Sequence, residues 1–460
     1  MTLVVIVILT ITILAGYLSS YFIKTSEDFF TASQGLGVFN LTGMLMGAII
    51  GGASTVGTSQ MAFERGIGAI WFTFGLVIAS ISLNLVYGHL LDKKEKPSTL
   101  TGIIGDSYGE KAGLVASVIL ILGMFIHING QVIASVSVIH NIVPFSTPIT
   151  ILFTVAIIVL YVVFGGFWGS TIVGSLKTVL LYGSSIVIGG ILLLKYQAFG
   201  EIMHSYSGSY MNPFSKGFLK DLSLPLSTVL GVLSTQIYFQ SAMAAKSRFV
   251  LKRTGMLTAF LIAPVGIVSV TIGMFMHLHH PEIIARDSFM LFAKWYLHPV
   301  IGGAAIAAVV ISSVATAAGL LLGISTIMVK DVFKVSKERA ILGVTRMTLL
   351  IVASLVFMIV ITMDQSMILN WGFLSMVFRA TPILVPVVFA LYSLSSVKSS
   401  FAYVVIGPCL SVLWILLGLD KVSSIYIGIL GSIIYMVLNK SKVSKQRENI
   451  SDLNDKKCDI

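Results

Sequence analysis

Charged residues are scarce in this sequence, and long apolar runs take their place. Asp, Glu, Lys and Arg make up 11% of the 460 residues, against 56% for the hydrophobic set AVILMFWYC. Soluble globular domains carry about 25% charged residues. The composition therefore excludes a soluble enzyme, a disordered chain and a nucleic-acid-binding protein, although the net charge is +11. It predicts an all-α polytopic membrane protein whose apolar helices contact the lipid bilayer.

Cysteines are few and catalytic motifs are lacking. The two cysteines, Cys409 in an apolar run and Cys458 near the C-terminus, indicate no disulfide framework. The sequence has no HExxH motif, no Walker lysine loop, and no paired aspartates or Ser/His arrangement within the apolar segments. We therefore expect no enzymatic activity and no cofactor besides a coupling ion. A solute carrier is the first interpretation; a channel and a solute sensor are the alternatives, because glycine-rich helix breaks also build ion filters.

Thirteen apolar segments are long enough to cross a membrane, beginning with the run from Met1 to Ile23. That run has no cationic start, so we interpret it as a retained helix and not as a signal peptide. Of the 30 Lys and Arg residues, 21 fall in one set of alternate loops and 7 in the other. Cationic loops face the cytoplasm. We therefore predict a multi-pass protein of the plasma membrane with its N-terminus outside and its C-terminus in the cytoplasm.

Two cationic residues, Lys177 and Arg379, fall inside predicted spans, whereas no Asp or Glu does. Ionised groups within a membrane are costly and mark functional sites by default. The alternative for both residues is snorkelling, in which a long side chain carries its charge to the membrane surface.

Glycine and small hydroxyl residues cluster in two of the predicted spans. The second span, 36–60, contains Gly47 and the run GGASTVG at 51–57, and the ninth contains SSVATAAG at 312–319. Such residues disfavour helix, and unwound backbone at mid-depth is tolerated where it lines a cavity. Close helix packing is the competing explanation. Hydroxyls and carbonyls that face each other across two such helices would suit a desolvated Na⁺.

Five segments, in order, resemble motifs of a known family. They are DFFTASQGLG at 28–37, GGASTVG at 51–57 followed by GIGAIW at 66–71, GGFW at 165–168, TQIYFQSAMAAKS at 235–247 and STIMVKDVF at 325–333. On these segments the sequence resembles the sodium:solute symporter family from about residue 28 to residue 392.

The resemblance implies about thirteen transmembrane helices in a five-plus-five inverted-repeat transporter fold. Its first and sixth core helices are broken around a site at the membrane midplane, and the expected partner is a small-molecule solute. No oligomeric state is predicted. The implied divisions are an extra N-terminal helix at 1–24, a first repeat at 28–195, a second repeat at 223–393, two additional helices at 400–438 and a cytoplasmic tail at 439–460.

The resemblance also implies a sodium site. Carried over residue by residue, its backbone oxygens come from Gly47, Ile50 and Ser312. Its two hydroxyl positions hold Ala315 and Thr316 in this chain, so one of the two hydroxyls is missing.

A second departure lies in the fifth core helix. Gly174 replaces the family's aspartate, and Lys177 stands where the family has glutamine. The first interpretation is Na⁺ coupling through Thr316 and the carbonyl oxygens. The alternative is that the Lys177 ammonium occupies the site, so that transport is coupled to protons through its deprotonation or is uncoupled.

The solute positions implied by the resemblance differ from those of sugar carriers. Where sugar carriers have an aromatic pair over the sugar, this chain has Gly231 and Val232. If Arg379 faces the cavity, its guanidinium suits a carboxylate, so we favour an organic or amino acid; a packing or gating role for this arginine is the alternative. The predicted solute-binding residues are Ser54, Trp71, Gln131, Thr235 and Arg379.

Overall fold

The computed structural model describes most of the chain and is helical almost throughout. It covers residues 1–22, 29–30, 35–93, 96–140, 142, 145–362, 368–392, 400–419 and 422–439. Residue 28 of the first family-like segment, residue 393 and residues 440–460 of the predicted tail lie outside these ranges. The β-pairing found in the described ranges is one isolated bridge between Leu36 and Ala245.

Seventeen α-helices can be followed in the described ranges. The first half contains α1 (Thr2–Leu18), α2 (Val38–Ile49), α3 (Val56–Arg65), α4 (Ile70–Tyr87), α5 (Leu100–Tyr108), α6 (Glu110–His140), α7 (Thr147–Gly190) and α8 (Ala198–Ser205). The second half contains α9 (Phe218–Leu233), α10 (Gln236–Met243), α11 (Arg248–His279), α12 (Ser288–Trp295), α13 (Pro299–Ile327), α14 (Glu338–Val360), α15 (Ile368–Leu391), α16 (Ala402–Leu416) and α17 (Ser424–Asn439).

Many of these helices are long and apolar enough to cross a membrane. Within the described residues, seven helical stretches qualify, an eighth is the bent pair α9 and α10, and four shorter apolar helices accompany them. The stretch Thr147–Lys195 has 49 residues, roughly 74 Å at 1.5 Å per residue, which is more than twice the thickness of the hydrocarbon core. Gly166 interrupts it with φ 48°, a conformation that favours glycine. This stretch therefore has the length of two spans, and the total of thirteen stays a prediction.

The first core helix is broken in mid-course, as predicted. Helix α2 ends at Ile49, and the backbone of Ile50 and Gly51 is extended before α3 begins at Val56. Neighbouring helices approach this break so closely that a Cβ on Gly52 would lie 2.3 Å from the Ala134 Cβ. Glycine at this position therefore permits both the break and its tight enclosure.

The second break lies between α9 and α10, whose axes differ by 58°. It falls at Ser234 and Thr235, in the sixth core helix that the family resemblance predicted to be broken. The glycine and hydroxyl run of the ninth span suggested a further break, and that expectation is wrong: α13 is continuous. Its hydroxyls have acceptors without unwinding, because Ser313 Oγ donates to the Val309 carbonyl within the helix (3.1 Å) and others reach across to α2.

Glycines bring α2 and α7 into direct backbone contact. A Cβ on Gly174 would lie 2.3 Å from the Gly43 carbonyl oxygen, and one on Gly47 would lie 2.9 Å from the Gly174 Cα. Helix α13 packs against α2, α6 and α7. The end of α2 is thus enclosed by helices from both halves of the chain.

Main-chain hydrogen bonds join the two broken helices at their ends. The Leu36 N–H, just before α2, donates to the Ala244 carbonyl (3.0 Å), and the Lys246 N–H donates to the Leu36 carbonyl (3.1 Å). The start of the first broken helix is therefore fixed to the end of the second.

The contact at Gly174 predicts a stability difference between two variants of one helix. Gly174→Ala should lower the melting temperature of the purified protein, because overpacking a close contact costs about 1–3 kcal/mol. Gly183→Ala, also in α7, should leave it nearly unchanged, since a Cβ there meets nothing within 4 Å. Thermal unfolding in detergent measures both, and equal melting temperatures would contradict the close approach.

Candidate functional site

Lys177 projects from α7 into the break of the first core helix. Its side chain is 0% exposed, so it does not snorkel. The ammonium donates hydrogen bonds to the carbonyl oxygens of Gly47 (2.8 Å), Ile50 and Ser312 (3.2 Å). A lysine ammonium has three N–H donors, and each can therefore be matched with one backbone acceptor.

Two hydroxyls from α13 bind the same carbonyls. Ser312 Oγ donates to the Ile50 oxygen at 2.7 Å, and Thr316 Oγ1 lies 3.2 Å from the Gly47 oxygen and 3.1 Å from the Ile50 oxygen. We call Gly47, Ile50, Ser312, Thr316 and the Lys177 ammonium the cation site. The structure thus brings together five of the six residues predicted for ion binding.

Ala315, the sixth, contributes no oxygen to this cluster. It lines a separate apolar cavity between α1, α7 and α13, together with Gly16, Tyr161 and Val173. The missing hydroxyl leaves Thr316 as the hydroxyl of the predicted pair.

The last carbonyls of α2 all have donors, although an α-helix leaves its final four carbonyls without intrahelical partners. The Gly47 and Ile50 oxygens are bound within the cation site. The Ala48 oxygen accepts from the Tyr238 hydroxyl of α10 at 3.1 Å, and the Ile49 oxygen accepts from Ser54 Oγ at 3.4 Å. Side chains from other helices, together with Ser54 in the break itself, therefore stabilise the unwound backbone in place of water.

The cation site has no acidic partner within the described ranges, where no Asp or Glu forms an ion pair with Lys177. In that part of the chain, the Lys177 ammonium contacts carbonyl oxygens. An aspartate at position 174 would collide with the Gly43 carbonyl, which explains why the structure as packed has no room for the family's acidic residue there.

Arg379 of α15 forms a second buried cationic centre, at 1% exposure. Its Nε and Nη2 donate to the Ser375 carbonyl (3.2 Å) and Ser375 Oγ (2.9 Å), and its Nη1 donates to Thr235 Oγ1 at the second helix break (2.5 Å). No acidic side chain in the described ranges pairs with it. A guanidinium has five N–H donors, so one N–H on each terminal nitrogen is left over.

A small enclosed cavity lies beside Arg379, between the two helix breaks. Its volume is about 10 Å³, the space of about one water molecule. Helices α4, α6 and α15 complete its wall. The lining residues are Ile49, Ala53, Ser54, Phe72, Leu76, His127, Gln131, Val232, Tyr238, Gly372, Met376 and Arg379.

Gln131 connects the cavity to the first break. Its Oε1 accepts a hydrogen bond from the Gly52 N–H at 2.8 Å, so its amide nitrogen faces His127 Nε2 at 3.0 Å. An amide nitrogen donates hydrogen bonds, and the Nε2 of His127 is therefore the acceptor. The imidazole proton then lies on Nδ1, which is buried and has no partner in the described part of the protein.

Three of the five predicted solute-binding residues, Ser54, Gln131 and Arg379, line the cavity. Thr235 lies behind it, as an acceptor for Arg379. Trp71 does not reach it: its indole N–H donates to the Pro213 carbonyl at 2.8 Å, and its ring packs against Phe214. This cavity therefore gives no support to a solute-binding role for Trp71, which stays a prediction.

Sequence reasoning missed two residues that close this cavity, Phe72 and Met376. Phe72, the residue after Trp71, faces inward, whereas His127 lies beside Gln131 as the i, i+4 spacing of the two residues on α6 indicates. Met376 had no such signal. It fills the space beside Gly231, where an added Cβ would lie 2.4 Å from the Met376 Cγ.

Comparisons with known proteins identify the relatives of this chain. The model of the sodium:solute symporter family matches residues 29–407. The chain belongs to the sodium:solute symporter family. Family membership, expected from the five segments, is thereby confirmed, and the family is one of membrane transporters.

Individual relatives are distant in sequence. The osmoregulated proline transporter OpuE of Bacillus subtilis is 20% identical over 447 residues, covering 90% of this chain and 89% of its own. The uncharacterized symporter YwcA of the same organism is 26% identical over 240 residues, covering 49% of this chain and 45% of its own.

A solved structure shares the fold. The substrate-bound, outward-open state of a Na⁺-coupled sialic acid symporter matches with a TM-score of 0.78 at 16% identity, covering 95% of this chain and 96% of the other. The predicted all-helical transporter fold with two broken core helices is thus confirmed.

The Gln131 contact predicts a destabilised variant. Gln131→Leu removes the acceptor of a buried backbone N–H at Gly52, and leaving such a group unpaired costs about 1–3 kcal/mol. We expect a lower melting temperature than that of wild type. Ser135→Ala, one turn further along α6, is the matched control, because Ser135 Oγ is buried and has no partner in the described part of the chain. A Gln131→Leu protein as stable as this control would contradict the proposed role of the amide.

Proposed function

We propose that this chain is a secondary active transporter that moves a small carboxylate-bearing solute by alternating access. Membership of a transporter family supports the carrier function. The polar side chains that meet between the two helix breaks support the position of the solute at mid-depth, in a cavity that has to widen from its present space for about one water molecule. The family name supports Na⁺ as the coupling ion. The contacts of Lys177 favour a second candidate, in which transport is coupled to protons or is uncoupled.

The observation that carries the solute class is the guanidinium of Arg379 beside the cavity. A buried guanidinium without an acidic partner is costly, and its two free N–H groups suit the two oxygens of a carboxylate. Binding of an anionic group would neutralise the charge and use both donors. An organic or amino acid fits this requirement.

His127 supplies a further donor on the same wall of the cavity. Its Nδ1–H is fixed in place by Gln131, and the side chain is 7% exposed. No acceptor for this N–H lies among the residues that the structure covers. A hydrogen bond to a charged acceptor contributes about 1.5–3 kcal/mol. A carboxylate oxygen held by Arg379 would provide that acceptor.

The named relatives agree with this chemistry. Two of the three are named for their solutes, proline for OpuE and sialic acid for the symporter of the solved structure, and both solutes are carboxylic acids. A neutral sugar is disfavoured, because the chain has no aromatic pair at 231–232 and Met376 fills the space beside Gly231.

Matched pairs of solutes test the requirement for a carboxylate. Purified protein is heated with L-proline, L-alanine, lactate or pyruvate, and separately with the corresponding amides, and the melting temperature is recorded. We expect at least one acid to raise the melting temperature and its amide to leave it unchanged, because the amide has no negative charge to pair with Arg379. Equal stabilisation by an acid and its amide would refute the proposal.

Arg379→Met tests the arginine itself. Removing one partner of a buried, hydrogen-bonded charge pair costs about 2–5 kcal/mol, so the affinity for the stabilising acid should fall by roughly 30-fold to 1,000-fold or more. The His127→Phe variant should show a smaller loss of affinity for the same acid. Size-exclusion chromatography verifies folding, and an unchanged affinity in folded Arg379→Met would assign the arginine to packing.

Counterflow distinguishes the carrier from a channel. Proteoliposomes loaded with the unlabelled acid should accumulate labelled acid from outside, because a carrier exchanges solutes one for one. A channel would show unitary currents and no transient accumulation.

A further inference from the structure

We propose that the Lys177 ammonium takes the place of the sodium ion in this protein, so that solute binding needs no Na⁺. The inference deepens the proposed carrier function and rests on it for the consequence in transport. Occupancy of the site is a separate property, which can be measured without any solute.

The first argument is the completeness of the ammonium's coordination. Gly47 and Ile50 provide carbonyls from the broken end of α2, and Ser312 provides one from α13. These are the three backbone oxygens at which a sodium ion was expected. Each N–H of the ammonium has one of them as its acceptor, and Lys177 is fully buried.

The second argument is that a sodium ion and this ammonium exclude each other. Both are monovalent cations that would share the same oxygens, and no described Asp or Glu pairs with Lys177 to offset a second charge. The hydroxyls of Ser312 and Thr316 also bond to the same carbonyls. The oxygens of the cation site suit one positive charge, and the Lys177 ammonium already provides it.

The third argument is that the close contact between α7 and α2 brings Lys177 within reach of the site. Gly174 and Lys177 are three residues apart and lie on one face of α7. The absence of a side chain at position 174 lets α7 contact α2 at Gly43 and Gly47. The stem of Lys177 then needs to cross only the short distance to the broken end of α2. Loss of the family's carboxylate and gain of the lysine are therefore two parts of one structural change.

The covalent attachment of the ammonium to α7 makes this site different from one that binds a free sodium ion. A sodium ion can leave to the solvent when a carrier opens, whereas the ammonium stays attached to α7. It bridges α7, the break of α2, and α13 in one set of contacts. The two halves of the chain are thus held together at this point without an ion from solution.

Direct sodium binding tests the proposal without solute. Purified wild-type protein is equilibrated with radioactive Na⁺, and its melting temperature is compared in sodium chloride and in choline chloride of equal ionic strength. We expect no saturable Na⁺ binding that depends on Thr316 and no difference in melting temperature. Saturable Na⁺ binding to wild type that Thr316→Val abolishes would overturn the proposal, and this result needs no Lys177 variant.

Two substitutions of Lys177 form a matched pair. Both Lys177→Ala and Lys177→Met remove the charge, but methionine fills the space of the lysine stem and alanine leaves it open. We expect Lys177→Ala to gain saturable Na⁺ binding and a higher melting temperature in sodium chloride. Lys177→Met should gain neither.

The outcome in Lys177→Ala also bears on the identity of the site. Thr316→Val in that background should remove the gained Na⁺ binding. A folded Lys177→Ala protein that binds no Na⁺ would refute the assignment of these oxygens as a sodium site. Failure of every acid in the thermal screen would instead refute the proposed solute and leave these sodium measurements standing, so the two failures are distinguishable.

Discussion

The bond between one ammonium and the carbonyl groups at the end of a broken helix is the interaction on which this structure depends. Inside a membrane, unwound backbone has no water to bind, and its carbonyls must find donors within the protein. Here the lysine of α7, a tyrosine of α10 and two hydroxyls of α13 supply them. The break therefore exists because three other helices stabilise it, and it ties together elements from both halves of the chain.

The short distance between the backbones of neighbouring helices is a further constraint on the structure. Small residues are needed where α2 meets α7 and where the break meets α6, because a single added methyl group would collide at either place. The close approach of α2 and α7 is linked to the buried charge of Lys177. Only a helix that lies this near can bring a side chain of lysine's length onto the oxygens of its neighbour, and only a fully enclosed site keeps competing water away from them.

Much of this arrangement could be predicted from the sequence, because its signals are local. The glycine run at 51–57 predicted the first break, and two cations within apolar runs drew attention to Lys177 and Arg379. The family resemblance predicted a break in the sixth core helix, although composition pointed to the ninth span, where the same residue types form a continuous helix. Composition alone does not distinguish a break from close packing.

Other features depend on packing between distant segments, which local patterns do not encode. The oxygens bound by Lys177 lie 127 to 135 residues away in sequence, and Trp71 faces outward while its neighbour faces the cavity. The hydrogen-bonded bridge at Leu36 also joins segments that are distant in sequence, and it consists of main-chain atoms alone. Side-chain replacements leave such a bridge intact, with proline the exception, because it lacks the N–H. The two broken helices consequently keep their connection under most amino-acid replacements at positions 36, 244 and 246.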